Sequence, residues 1–471
     1  MKKILFSAAV LVAAATTAQA ADLPRKAPVY KAPILKVYDW TGFYIGVNAG
    51  GSVGRDRTRT TIVGAGNEQT HLSPAGAIGG GQVGYNWQFR NFYNLVLGLE
   101  ADIQGSGQRT NSTCILTCVA GTSAPPFQTY NQKIDWFGTA RVRAGIATGP
   151  VLSYVTGGFA YGNVTTTSVA NLGGGPFNIN ADQTRTGYTF GSGVEAQLGG
   201  NWTGKIEYLY VNLGTQRTSG AFLGTPYAAA SRIQDHIFRA GVNYGFGNNA
   251  GYVEPLRNWN GFYIGGNAGT VIGRDRSNLR FAGFTNPQFA LVPEGFSGGG
   301  QIGYNWQASA WVFGVEGDFQ GSTAKDNKAC IVNCVTSGTT LNQTLPWLAT
   351  GRGRIGYSVG STLFYGTAGY AYGETKTKVF TNNNSPPSYT EISRQKGGYV
   401  VGAGIESPLT FLGLFGPAWT MKTEYLYVDL GSTTSTVATG GVPYSFTTQT
   451  REHIFRGGIN YNFNAPVVAK Y

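Results

Sequence analysis

The chain has 471 residues, enough for two or more ordinary domains. Only 12% are charged, about half the ~25% of soluble globular chains, while glycine (71 residues) stands at about twice its usual ~7% and aromatics reach 13%. A hydrophobic fraction of 42% excludes general disorder. The formal charge of +12 comes without any basic cluster beyond short pairs, which speaks against a nucleic-acid partner and for a weak attraction to an anionic saccharide surface such as lipopolysaccharide.

In chain order, residues 1–20 read as a secretory signal peptide. Lys2 and Lys3 form the positive start, residues 4–15 the apolar stretch, and Ala18-Gln19-Ala20 the small-x-small cleavage site. The apolar run falls short of the ~20 residues needed to span a bilayer, so cleavage near Ala20 is expected. Residues 21–37, with Pro24, Pro28 and Pro33 among Lys and Arg, read as a stiff periplasmic tether whose contact with peptidoglycan is left open. No later stretch is long and apolar enough for a transmembrane helix, so a membrane-resident chain must cross as a closed barrel.

From Trp40 onward the sequence is written twice. Trp40-Thr-Gly-Phe-Tyr-Ile-Gly46 returns as Trp259-Asn-Gly-Phe-Tyr-Ile-Gly265, and Gly80-Gly-Gln-Val-Gly-Tyr-Asn-Trp87 as Gly299-Gly-Gln-Ile-Gly-Tyr-Asn-Trp306. Lys205-Ile-Glu-Tyr-Leu-Tyr-Val211 returns as Lys422-Thr-Glu-Tyr-Leu-Tyr-Val428, and the closing block from His236 to Tyr244 as His453 to Tyr461. Each unit is a whole domain, far longer than a 20–50-residue solenoid repeat. The expected organisation is a first barrel over 38–247, a linker over 248–258, a second barrel over 259–463 and a tail over 464–471.

Within each copy the residues alternate with period two, the pattern of a pleated strand. Leu97, Leu99, Ala101 and Ile103 share one face, and Glu100, Asp102 and Gln104 the other. Thr139, Arg141 and Arg143 oppose Ala140, Val142 and Ala144, and Arg239, Gly241 and Asn243 oppose Phe238, Ala240, Val242 and Tyr244. Eight strands are predicted in the first copy, near 42–54, 77–89, 95–106, 132–147, 151–163, 184–198, 202–213 and 234–247. Long polar loops follow the odd-numbered strands and tight turns the even-numbered ones, the loop sorting of an outer-membrane barrel. Glu100 and Asp102 beside Arg141 and Arg143, repeated as Glu316 and Asp318 beside Arg352 and Arg354, suit a paired interior, whereas a soluble apolar-ligand barrel would hold Leu and Val there. Aromatics near strand ends (Trp40, Phe43, Trp87, Phe89, Trp136, Trp202, Tyr244, Phe246) suit interfacial girdles.

The leader followed by Ala-Ala-Asp-Leu-Pro, the opening Trp-Thr-Gly-Phe-Tyr-Ile-Gly, the Gly-Gly-Gln-Val-Gly-Tyr-Asn-Trp block and the closing Ile-Phe-Arg-Ala-Gly-Val-Asn-Tyr strand resemble the small outer-membrane barrel proteins of alphaproteobacteria, the porin-like or outer-membrane immunogenic proteins. The resemblance covers nearly the whole chain after the leader, once per copy. It implies an all-β, antiparallel up-and-down transmembrane barrel of eight strands in the outer membrane of a Gram-negative bacterium, with no catalytic residues. Surrounding lipid and, during insertion, the barrel-assembly machinery are the partners expected of such a protein. Two departures stand out: members of this group usually carry a single barrel, and this chain runs on from Phe463 to Tyr471, past the point where a terminal aromatic usually serves as the insertion signal.

Three sets of residues remain as candidates for chemistry. Cys114 and Cys118, and likewise Cys330 and Cys334, fall in the long loop after the third strand of each copy, where an exported chain favours local disulfides over metal. His236 and His453 occupy matching places on the closing strand without a marked nucleophile or carboxylate, so no catalytic site, metal site or cofactor is assigned. The charges Glu100, Asp102, Arg141, Arg143, Glu195, Lys205, Glu207 and Arg239, with Glu316, Asp318, Arg352, Arg354, Glu406, Lys422, Glu424 and Arg456 in the second copy, are expected to fill the lumens as a network. Two architectures follow. Two tandem eight-stranded barrels give a plugged surface protein, since eight strands leave room only for side chains; one fused sixteen-stranded barrel gives a diffusion pore for small hydrophilic solutes.

Overall fold

The computed structural model describes residues 38–464 apart from 63–65, 111–112, 117–126, 172–175, 223–224, 248, 250–255, 282–283, 333–338, 382–387, 410–414 and 440–441. The expected leader, the tether, most of the linker and residues 465–471 of the expected tail lie outside the described residues. The described elements are all strands. The first copy contains β1 (Gly42–Gly54), β2 (Asp56–Ile62), β3 (Gly66–Leu72), β4 (Ala75–Phe89), β5 (Leu95–Arg109), β6 (Thr113–Leu116), β7 (Phe127–Thr148), β8 (Val151–Asn171), β9 (Pro176–Gly199), β10 (Trp202–Phe222) and β11 (Thr225–Gly245). The second contains β12 (Gly261–Gly273), β13 (Asp275–Phe281), β14 (Phe284–Leu291), β15 (Glu294–Ala308), β16 (Trp311–Val332), β17 (Thr339–Val359), β18 (Thr362–Thr381), β19 (Ser388–Pro408), β20 (Trp419–Thr439) and β21 (Val442–Asn462).

Each copy closes on itself. β1 pairs antiparallel with β4 on one side and β11 on the other, from Tyr44 opposite Gly245 to Gly54 opposite Asp235. β12 closes on β21 in the same way, from Tyr263 opposite Asn462 to Gly273 opposite Glu452. Among the described residues no strand of one sheet pairs with a strand of the other. The fused sixteen-stranded barrel is therefore not formed. Consecutive hairpins bring each copy's last strand back beside its first, and that closure already satisfies both edges, so opening two rings to make one offers no further backbone pairing.

The predicted loops are largely strand. β7 to β11 run for 21–24 residues each, about twice the ~9–11 needed to cross a bilayer. β1 and β2 form one long strand kinked at Arg55, whose backbone N–H donates to the Gln234 carbonyl at 2.7 Å, and β3 and β4 form its antiparallel neighbour. Counted this way, each sheet has eight long strands, and β6 is a short addition beside β7. The opposite ends turn tightly. Tyr93, Asn94 and Gly149 in the first copy, and Ser309 and Gly360 in the second, take positive φ between 51° and 64°, the left-handed conformation that tight hairpins require. The connection between β19 and β20 is longer, ten residues from 409 to 418, of which 410–414 lie outside the described residues.

Side chains alternate as the pattern demands. Phe43, Ile45 and Val47 of β1 point outward and are open, while Tyr44, Asn48 and Ser52 are buried inside. Two aromatic belts ring the outer face. Phe43, Tyr85, Trp87, Trp202 and Tyr244 gather at the tight-turn end, with ring centroids 4.5–5.1 Å apart in successive pairs. Tyr188, Phe190 and Tyr210 lie further up. The eight residue steps from Trp202 to Tyr210 on β10 climb about 20 Å at the ~3.3 Å rise and ~40° tilt of such strands, close to the ~25 Å apolar band of an outer-membrane barrel. Trp40, expected in the girdle, is instead buried: its indole N–H donates to the Gly149 carbonyl at 3.2 Å, folding the ring across the mouth of the barrel.

The ring closure predicts cross-links within each copy. With the native cysteines replaced by Ser, Val47→Cys/Val242→Cys and Gly266→Cys/Ile459→Cys should each oxidise in folded protein, because these residues are register partners. Loss of both cross-links in protein that still shows heat-modifiable gel mobility would contradict two separate rings.

Candidate functional site

The inward faces of β5, β7, β9, β10 and β11 bring all eight predicted charges of the first copy into one buried layer. Register sets Glu100 directly opposite Arg141 and Asp102 opposite Thr139. Arg141 is the hub: it pairs with Glu100, with Asp102 at 3.0 Å and with Glu207 at 3.0 Å. Arg239 bonds Asp102 at 3.0 Å and Glu207 at 2.5 Å. Arg143 reaches Glu195 at 2.7 Å and Glu100 at 3.3 Å, and the Lys205 ammonium lies 3.1 Å from Glu100. Four cations face four carboxylates, so the layer carries no net formal charge.

The second copy repeats the layer. Arg352 pairs with Glu316, with Asp318 at 2.9 Å and with Glu424 at 2.9 Å; Arg354 reaches Glu406 at 3.0 Å. Arg456 bonds Glu424 at 2.7 Å and Asp318 at 3.1 Å, and Lys422 lies 2.8 Å from Glu316. In both copies the charged side chains are at most 3% exposed. Ions removed from water this completely hold together only where each is multiply bonded, and here neighbouring hydroxyls and amides add further bonds to the carboxylates, although Asp102 Oδ1, Arg143 Nε and Arg239 Nη1 stay without a hydrogen-bond partner among the described residues.

Those neighbours were not singled out from sequence. Tyr44 Oη donates to Glu100 at 2.7 Å and Tyr154 Oη to Glu207 at 2.9 Å, while the Arg143 guanidinium lies 4.2 Å from the Tyr154 ring centroid. Tyr263 and Tyr365 make the equivalent bonds to Glu316 and Glu424. Asn243 donates to Glu195, and Asn460 to Glu406. The signal was present in strand parity, since Tyr44 alternates with the outward Phe43 and Ile45 and recurs as Tyr263. Gly84 serves the same purpose by omission: a Cβ there would run into the Tyr44 hydroxyl, and one at Gly303 into that of Tyr263.

The lumen is not polar throughout, contrary to the expectation that Leu and Val belong inside only a soluble barrel. Beyond the charged layer, Ile78, Phe137, Leu209, Val211, Ile233 and Ile237 form a buried apolar cluster on inward strand positions. Val271, Leu348, Val400, Leu426, Val428 and Ile454 do so in the second copy. At the tight-turn end, Trp40 packs with Val96, Leu152 and Tyr154, and Trp259 with Val312, Leu363 and Tyr365. Each interior is thus stacked as apolar floor, ionic middle and apolar upper layer.

Two predicted groups fall elsewhere. Cys114 lies on β6 and Cys330 on β16, but their side chains, like all of Cys118 and Cys334, lie outside the described residues. His236 and His453 face outward, and the Nδ1 of each is 2.8 Å from a tyrosine hydroxyl, Tyr208 and Tyr425 respectively.

Known proteins place the chain. A family model described as the outer membrane protein beta-barrel domain matches it twice, over residues 6–246 and 254–463. The chain is 35% identical over 264 residues to the 31 kDa outer-membrane immunogenic protein of Brucella melitensis biotype 1, covering all of that protein and 52% of this chain. It is 35% identical over 186 residues to a 22 kDa outer membrane protein of Rhizobium leguminosarum bv. viciae, covering 68% of that protein and 38% of this chain. Among solved structures, Neisserial surface protein A covers 43% of this chain and 97% of its own at 14% identity, with a TM-score of 0.21. A Pseudomonas aeruginosa FadL homologue covers 90% of this chain and 91% of its own at 9% identity, with a TM-score of 0.29.

The hub arginines set a stability prediction. Arg141→Ala or Arg352→Ala leaves three cations against four buried carboxylates, so the layer carries an uncompensated negative charge and the loss should cost about 3–5 kcal/mol. Exposed Arg57→Ala should stay within about 0.5 kcal/mol. Urea unfolding of the protein refolded in lipid measures both.

Proposed function

The chain belongs to the outer membrane protein β-barrel domain family and resides in the outer membrane of a Gram-negative bacterium; on that premise we propose that it is a structural surface protein whose two lumens are plugged. The observation that carries this reading is the neutral ionic layer held between two apolar layers in each barrel. A conducting path needs a continuous column of mobile water along its length. Here the cations are bonded to carboxylates across the section, and eight strands leave an interior only wide enough for side chains. The diffusion-pore alternative depended on a single large ring, which the closure of each copy removes.

In this reading the parts of the strands beyond the upper aromatic belt form a rigid platform outside the bilayer. β10 alone continues twelve residues from Tyr210 to Phe222. Disulfides Cys114–Cys118 and Cys330–Cys334 stiffen its tips, outer-membrane lipid and lipopolysaccharide surround it, the barrel-assembly machinery inserts it, and the tether at 21–37 offers a contact for peptidoglycan. No catalytic chemistry is required.

Planar bilayers test the plug. The purified protein should show no stable steps in the nanosiemens range, and such steps in the unmodified protein would overturn the reading. Alkylation of the folded protein without reductant should leave all four cysteines unmodified, as read by intact mass; four alkylated thiols would remove the disulfides from it.

A further inference from the structure

Outward side chains on most of both barrels are open, as Phe43 (63%) and Phe159 (50%) are, yet Phe238 and Phe455 are only 4% and 8% exposed on strand positions that also point outward. They are covered by each other's barrel. Phe238 lies 5.1 Å from Tyr425, and Tyr208 lies 5.6 Å from Phe455. Tyr425 is the counterpart of Tyr208, and Phe455 that of Phe238, so the two contacts are one contact made twice about a two-fold axis. Phe238 and Phe455 meet near that axis at 6.5 Å, with Val53 and its counterpart Ile272 in the same cluster. Each tyrosine hydroxyl is satisfied within its own barrel by His236 or His453, so the seam buries no tyrosine hydroxyl without a partner.

A second, lower contact shows how the copies differ. Ser153 Oγ lies 3.8 Å from Met421 Sδ. The counterpart of Ser153 is Phe364, and the counterpart of Met421 is Gly204. Phe364 covers Gly204, its ring 3.3 Å from where a Cβ would stand. The same symmetric contact is thus made once as Ser on Met and once as Phe on Gly, a small side chain against a large one each time. Two first copies would set Ser against Gly and leave gaps; two second copies would set Phe against Met and collide. The charges reinforce the choice against like first copies: Arg55 pairs with Glu294 across the seam and lies 3.6 Å from Asp326, whereas the first copy carries Ala75 where the second has Glu294.

We propose that the outward face of β8, β9, β10, β11 and β1 is a lateral pairing surface for a second barrel of this kind, and that the size differences at Ser153/Phe364 and Gly204/Met421 make the unlike copy its preferred partner. Lipid tails are as apolar as the barrel surface, so lateral association in a membrane rests on close packing and polar contacts rather than on removing surface from water. Shape matching at a few positions therefore decides the partner. The linker keeps the pair together in sequence, while the seam holds it in the bilayer. This inference is independent of whether the lumens conduct.

The test uses the whole chain, folded first and then cut at a protease site placed within 250–255. After cleavage the two halves should still elute as one complex from detergent. Gly204→Met/Met421→Gly spoils both contacts and should lower the fraction of paired halves at least tenfold. Adding Ser153→Phe/Phe364→Ser mirrors the original arrangement and should restore pairing. Heat-modifiable mobility of each half establishes that each barrel is folded. Halves of the unmodified protein that separate on cleavage, a double variant that stays paired, or a quadruple variant that is not rescued would overturn the proposal. Should a variant fail to fold, Ser153→Cys/Met421→Cys in a background without the native cysteines, oxidised in membranes, decides the question: cross-linking supports the seam and its absence refutes it.

Discussion

Hydrocarbon offers a backbone no water, so every N–H and C=O of a spanning segment must find its partner inside the protein. That constraint sets the rest of this molecule. It forces β1 onto β11 and β12 onto β21, leaving neither sheet an edge in the bilayer. Once a sheet is closed, the pleat separates its side chains into an inside and an outside with no intermediate choice. Ile45 and Val47 then face lipid because Tyr44 and Asn48 face the lumen, and a one-residue slip would exchange the two sets.

The interior that results is narrow, and the layered filling answers that narrowness. Arginine suits the middle layer because its planar, always-charged head can bond several carboxylates at once, as Arg141 does with Glu100, Asp102 and Glu207. A buried ion set is weak evidence for net stability, because desolvation offsets much of the attraction. Its effect here is better understood as registry. The network is complete only when β5, β7, β9, β10 and β11 are aligned as observed, and the apolar layers on either side keep water from competing for its bonds.

The two copies share the ring and the plug but differ on the surface they turn toward each other. Inside, identical residue types recur at the hub positions, because each lumen must satisfy the same geometry alone. At the seam, Ser153 and Gly204 stand where the second copy has Phe364 and Met421, and the pairs meet large to small. The duplication thus keeps what a single barrel requires and varies what a pair requires.

Local pattern carried far in this chain. Period-two alternation and the internal repeat were enough to place eight strands in the first copy and expect as many in the second, to assign Glu100, Arg141, Lys205 and their counterparts to the lumen, and to identify the family. These are properties of neighbouring residues on one strand, and the pleat translates them directly into inside and outside. The strand lengths were hidden because the polar, Thr-rich stretches such as 164–168 alternate without an apolar face, so nothing in them announces pairing until a neighbouring strand supplies it. Trp40 was misplaced because its direction is set by the carbonyl of Gly149, more than a hundred residues away. The choice between one ring and two, the apolar layers around the ions, and the contact of Phe238 with Tyr425 all depend on which strands become neighbours in space. Sequence periodicity fixes a residue's face, but only closure of the sheet decides what that face meets.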